Sequence, residues 1–131
     1  MPFPSIDAFS FEDGWDRWVA TAKDGGYDLA VPDERGRPLA AALTLLQRAE
    51  ADQAELLRRA LGELKGFGLT EKIDLNVPPA MIELAVIRHR GKLAACIVLN
   101  FDSDRYGLYV VGFSLSLDKY WSRVFFSRED W

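Results

Sequence analysis

Two residues could take part in nucleophilic or metal chemistry: His89 and Cys96, the single histidine and the single cysteine of the 131-residue chain. A Ser-His-Asp or Cys-His site would need His89 as its base. The two residues fall on different predicted strands, and nothing in their spacing brings them together. We therefore expect His89 to be a surface or turn-edge residue without a catalytic role. A lone cysteine is typical of a reducing compartment.

Carboxylates form the second candidate group. Asp102 and Asp104 lie two residues apart and Glu83 lies on the preceding predicted strand, so they could act as a general acid and base. Asp102–Gly107 also resembles the first half of a calcium loop, but its fifth position is Tyr106 and its twelfth is not a glutamate. One histidine and one cysteine cannot supply four zinc ligands. We predict no metal and no other cofactor.

The net charge of −4 is placed unevenly along the chain. Residues 1–32 hold six acids and two bases, a balance of −4, while the remainder is balanced. A protein that binds duplex nucleic acid is expected to show a basic stripe instead. The sequence therefore favours a basic protein partner over a nucleic acid, although a solvated acidic face would have the same composition.

The elements that would position these groups begin with an extended lead-in over residues 1–10. A capping box at Ser10 and Asp13, with helically spaced tryptophans, indicates a short helix over residues 11–24. The turn sequence Lys23–Gly26 between two runs of strand-forming residues instead indicates a hairpin, which we prefer. The two strands of that hairpin would be Trp15–Ala22 and Tyr27–Val31.

A polar loop, Pro32–Arg37, precedes the strongest helical signal, one long helix over residues 38–65. Pro38 fits its first turn, where the missing N–H is not needed, and Gly66 fits its end. The polar middle, Glu50–Gln53, allows a kink or a break. The apolar stripe consists of Leu39, Leu43, Leu46, Leu57, Leu61 and Leu64, with Ala42, Ala49 and Ala60 beside them.

After a proline-containing loop at Asn76–Pro79, the second half of the chain is predicted to be a four-strand meander. Its strands, rich in β-branched and aromatic residues, are Met81–Arg90, Leu93–Phe101, Gly107–Leu117 and Tyr120–Ser127. Short turns between them favour antiparallel pairing. We predict a single α+β domain over residues 1–131, in which a mainly antiparallel sheet packs on one long helix.

The aromatic residues of the last predicted strand are a further signal. Simple alternation places Trp121 and Phe125 on one face, and Tyr120, Val124 and Phe126 on the other. One face can join the core, and the other needs a cover from this chain or from a second chain. The sequence leaves both roles open for Trp121, which could be a core residue or an interface anchor.

The order of elements, with the stretch Phe101–Tyr109, resembles a group of small uncharacterised bacterial domains of the toxin-immunity type. In that group a strand ends in a Trp-Asp-x-Glu-His-Gly-Leu-Gly motif. Here Asp102, a second acid and the Gly-Leu pair are retained, Phe101 replaces the tryptophan, and Tyr106 replaces the histidine with one residue inserted. The resemblance covers about residues 11–115, and it implies a protein that neutralises a toxin by binding it.

We therefore expect a protein-binding domain, not an enzyme, that occludes a cognate and basic toxin. No signal peptide or membrane span is visible, which predicts a cytoplasmic protein without a membrane partner. Acids would steer association, and aromatic residues would supply affinity. The predicted contact residues are Glu12, Asp13, Asp16, Trp18, Asp102, Asp104, Arg105, Tyr106, Trp121 and Arg123.

Two alternatives use other surfaces. A small-molecule binder or enzyme would use the open face of the sheet, with Glu83, Asp102, Asp104 and His89 as its polar groups. A structural or accessory domain would form a homodimer through Trp121 and Phe125. A deep pocket with convergent polar groups would favour the first alternative, and an exposed aromatic face on the last strand would favour the second.

Overall fold

The computed structural model describes residues 3–22, 26–66 and 80–130. A 3-10 turn at Ile6–Ala8 lies within the lead-in, which ends where the first strand begins at Ser10. The strands are β1 (Ser10–Glu12), β2 (Arg17–Thr21), β3 (Asp28–Glu34), β4 (Arg37–Pro38), β5 (Ala80–His89), β6 (Lys92–Phe101), β7 (Asp104–Leu115) and β8 (Trp121–Asp130). The helices are α1 (Ala40–Ala51) and α2 (Gln53–Gly66).

One mixed sheet and a layer of helices form the fold. The described strands pair in the order β1-β2-β3-β5-β6-β7-β8, and β4 pairs with β3 beside this path. The pairs are antiparallel except for β3 with β5, which are parallel. Tight turns can join only antiparallel neighbours, whereas the connection from β3 to β5 contains both helices. The predicted α+β class and mainly antiparallel sheet are confirmed.

The preferred hairpin at the N-terminus is also confirmed. β2 and β3 pair antiparallel from Arg17 with Pro32 to Thr21 with Asp28. The alternative helix is wrong because Ser10, its supposed cap, pairs with Val19 as the first residue of β1. Residues 23–25 of the predicted turn and the predicted loop Asn76–Pro79 lie outside the described residues.

Two further boundaries differ from the sequence prediction. β3 continues through Pro32 to Glu34, and a tight turn at Arg35–Gly36 returns the chain as β4, so the expected polar loop is a small hairpin. Pro38 lies in β4 and not in the first helical turn. A proline is tolerated there because β4 pairs on one side only.

The helical segment is two helices, not one. Asp52 leaves helical geometry with φ −103° and ψ 14°, and its backbone carbonyl accepts the N–H of Leu56 at 3.0 Å. The Asp52 carboxylate accepts the indole N–H of Trp121 at 2.9 Å and the Arg48 Nε–H at 2.8 Å. The break therefore ties the helices to the start of β8.

Asp52 should contribute stability that depends on pH. The hydrogen bonds from Trp121 and Arg48 lower the pKa of its carboxyl below the ordinary 3.8. A lowered folded-state pKa stabilises the protein above pH 3.8 and ceases to do so as the pH falls below that value. Asp52→Asn should lower the free energy of unfolding at neutral pH by up to about 1 kcal/mol, a modest figure because the carboxylate is partly exposed to water.

Urea titrations at several pH values measure this effect. The difference between Asp52→Asn and the unaltered protein should shrink as the pH falls below 3.8. Asp118→Asn, which removes a carboxylate from the exposed β7–β8 turn, is the matched control and should leave the profile unchanged. A constant difference across the acidic range would contradict the role given to the Asp52 carboxylate.

The core lies between the helices and one face of the sheet. Alternation in the sequence predicts one buried face of the third strand, made of Tyr109, Val111, Phe113, Leu115 and Leu117. The first three are fully buried and Leu115 is partly buried, whereas Leu117 lies beyond the end of β7 and is fully exposed, so the prediction is wrong for Leu117. α1 contributes Leu46, and α2 contributes Leu64, both fully buried. Burial of a leucine side chain contributes about 1.5–3 kcal/mol. On α2 the buried stripe runs through Leu56, Ala60 and Leu64, whereas the predicted Leu57 and Leu61 are half-buried at its side.

A β-bulge in β8 overturns the predicted alternation of that strand. Gly112 pairs with Phe125, but the next residue of β7, Phe113, pairs with Arg123, so the register slips by one residue at Val124. One extra residue moves each later side chain to the opposite face. Trp121 and Phe126 therefore both pack on the core, and Phe125 lies on the open face.

The four C-terminal strands are neighbours in chain order, as the meander prediction required. They do not form a separate sheet, because β3 pairs with β5 and extends the sheet through β2 to β1. The helices cover only one face of this larger sheet. The other face is covered by no described helix, and it carries the short side chains Ala30, Ala85 and Cys96 along one cross-strand row.

Candidate functional site

His89 and Cys96 do not form a catalytic pair. The Cys96 thiol is buried, and its burial, with the charges of Glu83 and Glu129, raises its pKa to about 12. The His89 ring stacks on Phe125 with the ring centroids 4.4 Å apart. Within the described residues no carboxylate hydrogen-bonds to this imidazole, so nothing orients it as a general base.

Asp104, at the start of β7, is the centre of a structural clasp. Both of its carboxylate oxygens accept hydrogen bonds from Arg128 on β8 at 2.9 Å, and the Tyr109 hydroxyl donates to it at 2.5 Å. Burial and the hydrogen bond to Asp104 raise the pKa of the Tyr109 phenol. Hydrogen bonds to Asp104 and then to Asp130 raise the pKa of Arg128. The clasp joins β7 to β8 at this end of the sheet.

The residues beside Asp104 remain on the surface. Asp102 is exposed in the β6–β7 turn, and Tyr106 has 65% of its surface exposed. Arg105 donates a hydrogen bond to the Tyr106 hydroxyl at 3.1 Å and lies over its ring. Asn100 holds the turn by donating to the carbonyls of Arg105 and Gly107. Of the two predicted acids, Asp102 is therefore the more accessible.

The N-terminal hairpin β1–β2 presents the most exposed tryptophan of the described chain. Its four-residue turn, 13–16, holds Trp15 with 75% of its surface exposed between Asp13 and Asp16. Phe11 on β1 is 41% exposed and packs edge-on against Trp18 on β2, with the ring centroids 5.3 Å apart. An aromatic tip with acidic neighbours is the kind of surface that contacts a protein partner.

A charge network holds this hairpin in place. Arg17 on β2 pairs with Glu12 on β1 at 2.7 Å and with Glu83 on β5 at 2.6 Å. The same guanidinium lies 5.9 Å from the centroid of the Trp15 ring. The Trp18 indole N–H donates to Asp33 at 2.8 Å. Glu12 and Trp18, both predicted as contact residues, are thus engaged within the chain, whereas the side chains of Asp13 and Asp16 are exposed.

The remaining predicted contact residues lie at the helical side of β8. Trp121 has 6% of its surface exposed and is a core residue. Arg123 pairs with Glu63 of α2 at 3.3 Å. Tyr120, one residue before Trp121, has 73% of its surface exposed. The structure therefore separates two surfaces, the hairpin tip at Trp15 and the turn at Asp102, from residues that hold the strands and helices together.

Sequence reasoning missed two features. It selected Trp18 on the hairpin and not Trp15, although the turn-forming sequence Asp13-Gly14-Trp15-Asp16 is the signal that places Trp15 at a tip. It also did not predict a basic groove at the β5–β6 turn, which is lined by His89, Arg90 and Lys92.

Comparison with family models, with curated proteins and with solved structures finds no match for this chain. Within residues 3–22, 26–66 and 80–130, no helix combines the length and apolar character that a membrane crossing requires. In the same residues, no three His, Cys, Asp or Glu side chains are grouped closely enough to hold a metal ion.

Proposed function

We propose that the chain is a cytoplasmic protein-binding domain that neutralises a basic protein by covering it. The neutralising role is the one that the resemblance to toxin-immunity domains implies. The contact surface in this proposal is the hairpin β1–β2. The single observation that carries it is the position of Trp15, which is 75% exposed at a turn between two aspartates. The Trp15 ring lies outside the hydrophobic core, so folding does not depend on its burial.

The exposed Trp15 ring is the part of this surface that would contribute most to the affinity for a partner. Tryptophan is among the residues most enriched at the energetic centres of protein interfaces, because its large ring loses much water on burial. Phe11 on β1 is a second exposed ring of the same hairpin, 41% exposed and packed edge-on against Trp18. A partner seated on the hairpin tip would bury the exposed surface of the Trp15 ring.

Charge indicates the chemistry of the partner. Asp13 and Asp16 flank the ring and are exposed, and Asp7 lies exposed in the preceding 3-10 turn. Acidic groups around an apolar centre attract a basic surface, raise its association rate and disfavour acidic competitors. This arrangement supports a basic protein as the partner.

The hairpin β1–β2 is also held in one conformation before it binds a partner. Glu12, Arg17 and Glu83 join β1, β2 and β5 through two ion pairs. A surface that is ordered before binding loses less entropy when the complex forms. The ordered hairpin therefore supports binding in which β1 and β2 keep their conformation when they contact the partner.

The test is the removal of the Trp15 ring. The chain and its Trp15→Ala variant are used to capture proteins from host extract, and each captured basic protein is purified and titrated by calorimetry. We expect Trp15→Ala to weaken binding about 30-fold, which corresponds to the loss of about 2 kcal/mol. Tyr120→Ala removes another ring that is 73% exposed, and it should leave the affinity unchanged.

The neutralising role has its own readout. The captured protein, expressed alone, should arrest growth, and co-expression of the chain should restore growth while co-expression of Trp15→Ala should not. Equal affinity for Trp15→Ala and the unaltered chain would refute the hairpin as the contact surface. A captured partner that is harmless when expressed alone would refute the immunity role.

A further inference from the structure

A second surface lies on the open face of the sheet, at the β5–β6 turn. It is a groove of about 450 Å³. His89, Arg90, Lys92 and Ser114 provide its polar groups, and Ala94 and Val124 provide apolar walls. This volume falls within the range of about 300–1,000 Å³ that is typical of small-molecule sites.

The groove carries uncompensated positive charge. Among the described residues no carboxylate lines it, and neither Arg90 nor Lys92 forms an ion pair. By contrast, Arg17 and Arg128 each pair with two carboxylates elsewhere in the fold. The Ser114 hydroxyl also has no hydrogen-bond partner in the described part of the chain and can donate to a ligand.

The backbone and the neighbouring rings hold these groups in place. Arg90 and Gly91 both have positive φ, 53° and 79°, which forms the tight turn between His89 and Lys92. A turn of this kind favours Asn, Asp or Gly at its first central position, which is Arg90 in this chain. The His89 ring stacks on Phe125, whose ring lies over Gly112 because that residue has no Cβ atom to obstruct it.

We propose that this groove binds a small phosphomonoester that has an apolar or aromatic body. A phosphate dianion accepts hydrogen bonds through its oxygens. The donors here are the charged side chains of Arg90 and Lys92 and the neutral hydroxyl of Ser114. Ala94 and Val124 line the space for the carbon body. The site is separate from the hairpin surface, so it stands independently of the protein-binding role.

Phenyl phosphate is the probe, titrated into the isotopically labelled chain and followed by amide NMR. We expect saturable shifts confined to the residues around the β5–β6 turn. Inorganic phosphate lacks the apolar body and should bind about tenfold more weakly, and phenol lacks the charge and should cause no saturable shift. Equal binding of inorganic phosphate would reduce the groove to an adventitious anion site and overturn the proposal.

Two variants and one control assign the contacts. Arg90→Asn keeps a residue that tolerates positive φ, and Lys92→Gln keeps most of the length of the side chain. Each should weaken phenyl phosphate binding about tenfold, while preserved amide dispersion shows that the fold is intact. Lys65→Gln removes the same charge from the exposed end of α2 and should have no effect. Unchanged binding in both groove variants would overturn the assignment.

A titration with single-stranded oligothymidine distinguishes a small-ligand site from a nucleic-acid surface. An oligomer of about ten nucleotides is used, because single-strand-binding folds cover lengths in this range. We expect it to bind no more tightly than phenyl phosphate, because the groove accommodates one phosphate group. Tighter binding, with shifts that spread along β6 and β7, would overturn the small-ligand proposal in favour of a nucleic-acid surface.

Discussion

Trp121→Ala is expected to lower the free energy of unfolding by about 3–5 kcal/mol, the typical cost of removing a buried tryptophan ring. The ring is 6% exposed at the start of β8 and packs in the core. Its N–H donates to Asp52 at the junction of α1 and α2, so the substitution also removes the link between that junction and the sheet. Urea denaturation followed by circular dichroism measures the loss.

Its neighbour provides the matched control. Tyr120 is 73% exposed, and Tyr120→Ala should change the free energy of unfolding by no more than about 0.5 kcal/mol. Trp121→Phe keeps an aromatic ring but loses the N–H, and it should give an intermediate loss. A Trp121→Ala protein as stable as Tyr120→Ala would show that Trp121 is not part of the core.

Asp104→Ala is expected to cost about 1–3 kcal/mol, because it leaves the hydroxyl of a buried tyrosine without its acceptor. Tyr109 has 0% of its surface exposed, and its hydroxyl donates to Asp104 at 2.5 Å. Asp102→Ala removes an exposed carboxylate from the adjacent turn and should have an effect of no more than about 0.5 kcal/mol. Equal effects of the two substitutions would contradict the clasp.

The phenol of Tyr109 gives a second readout of the same clasp. Burial and Asp104 raise its pKa above the ordinary 10.0, so its contribution to stability is present below pH 10.0 and declines as the pH rises further. In Asp104→Ala this pKa should move down towards the ordinary value. Alkaline titration of the phenolate absorbance, with Tyr109→Phe to identify the signal, measures the change.

Local patterns in the sequence determined most of the elements. The alternation of Tyr109, Val111 and Phe113 identified the buried face of β7 because side chains in a strand point to opposite faces in turn. Helix-forming residues and leucine spacing placed the helical segment, and the polar stretch around Asp52 allowed for its break. These signals depend on neighbours in sequence and need no knowledge of distant contacts.

The roles of individual aromatic and charged residues depended on tertiary structure. One extra residue at Val124 places Phe125 on the face opposite Trp121, and this bulge is visible only in the register of β8 against β7. Asp104 is engaged in the clasp because Arg128 pairs with it from the neighbouring strand β8 and the Tyr109 hydroxyl donates to it from five residues further along β7.

The sequence by itself thus determined the α+β class, the antiparallel pairing of the second half and the acidic character of the N-terminal segment. Only the tertiary structure decided which tryptophan is exposed, which acids are paired and where uncompensated positive charge gathers. The physical reason is that hydrophobic periodicity is a property of adjacent residues. Burial and charge pairing instead depend on residues far apart in the chain, as the Arg17–Glu83 ion pair between β2 and β5 illustrates.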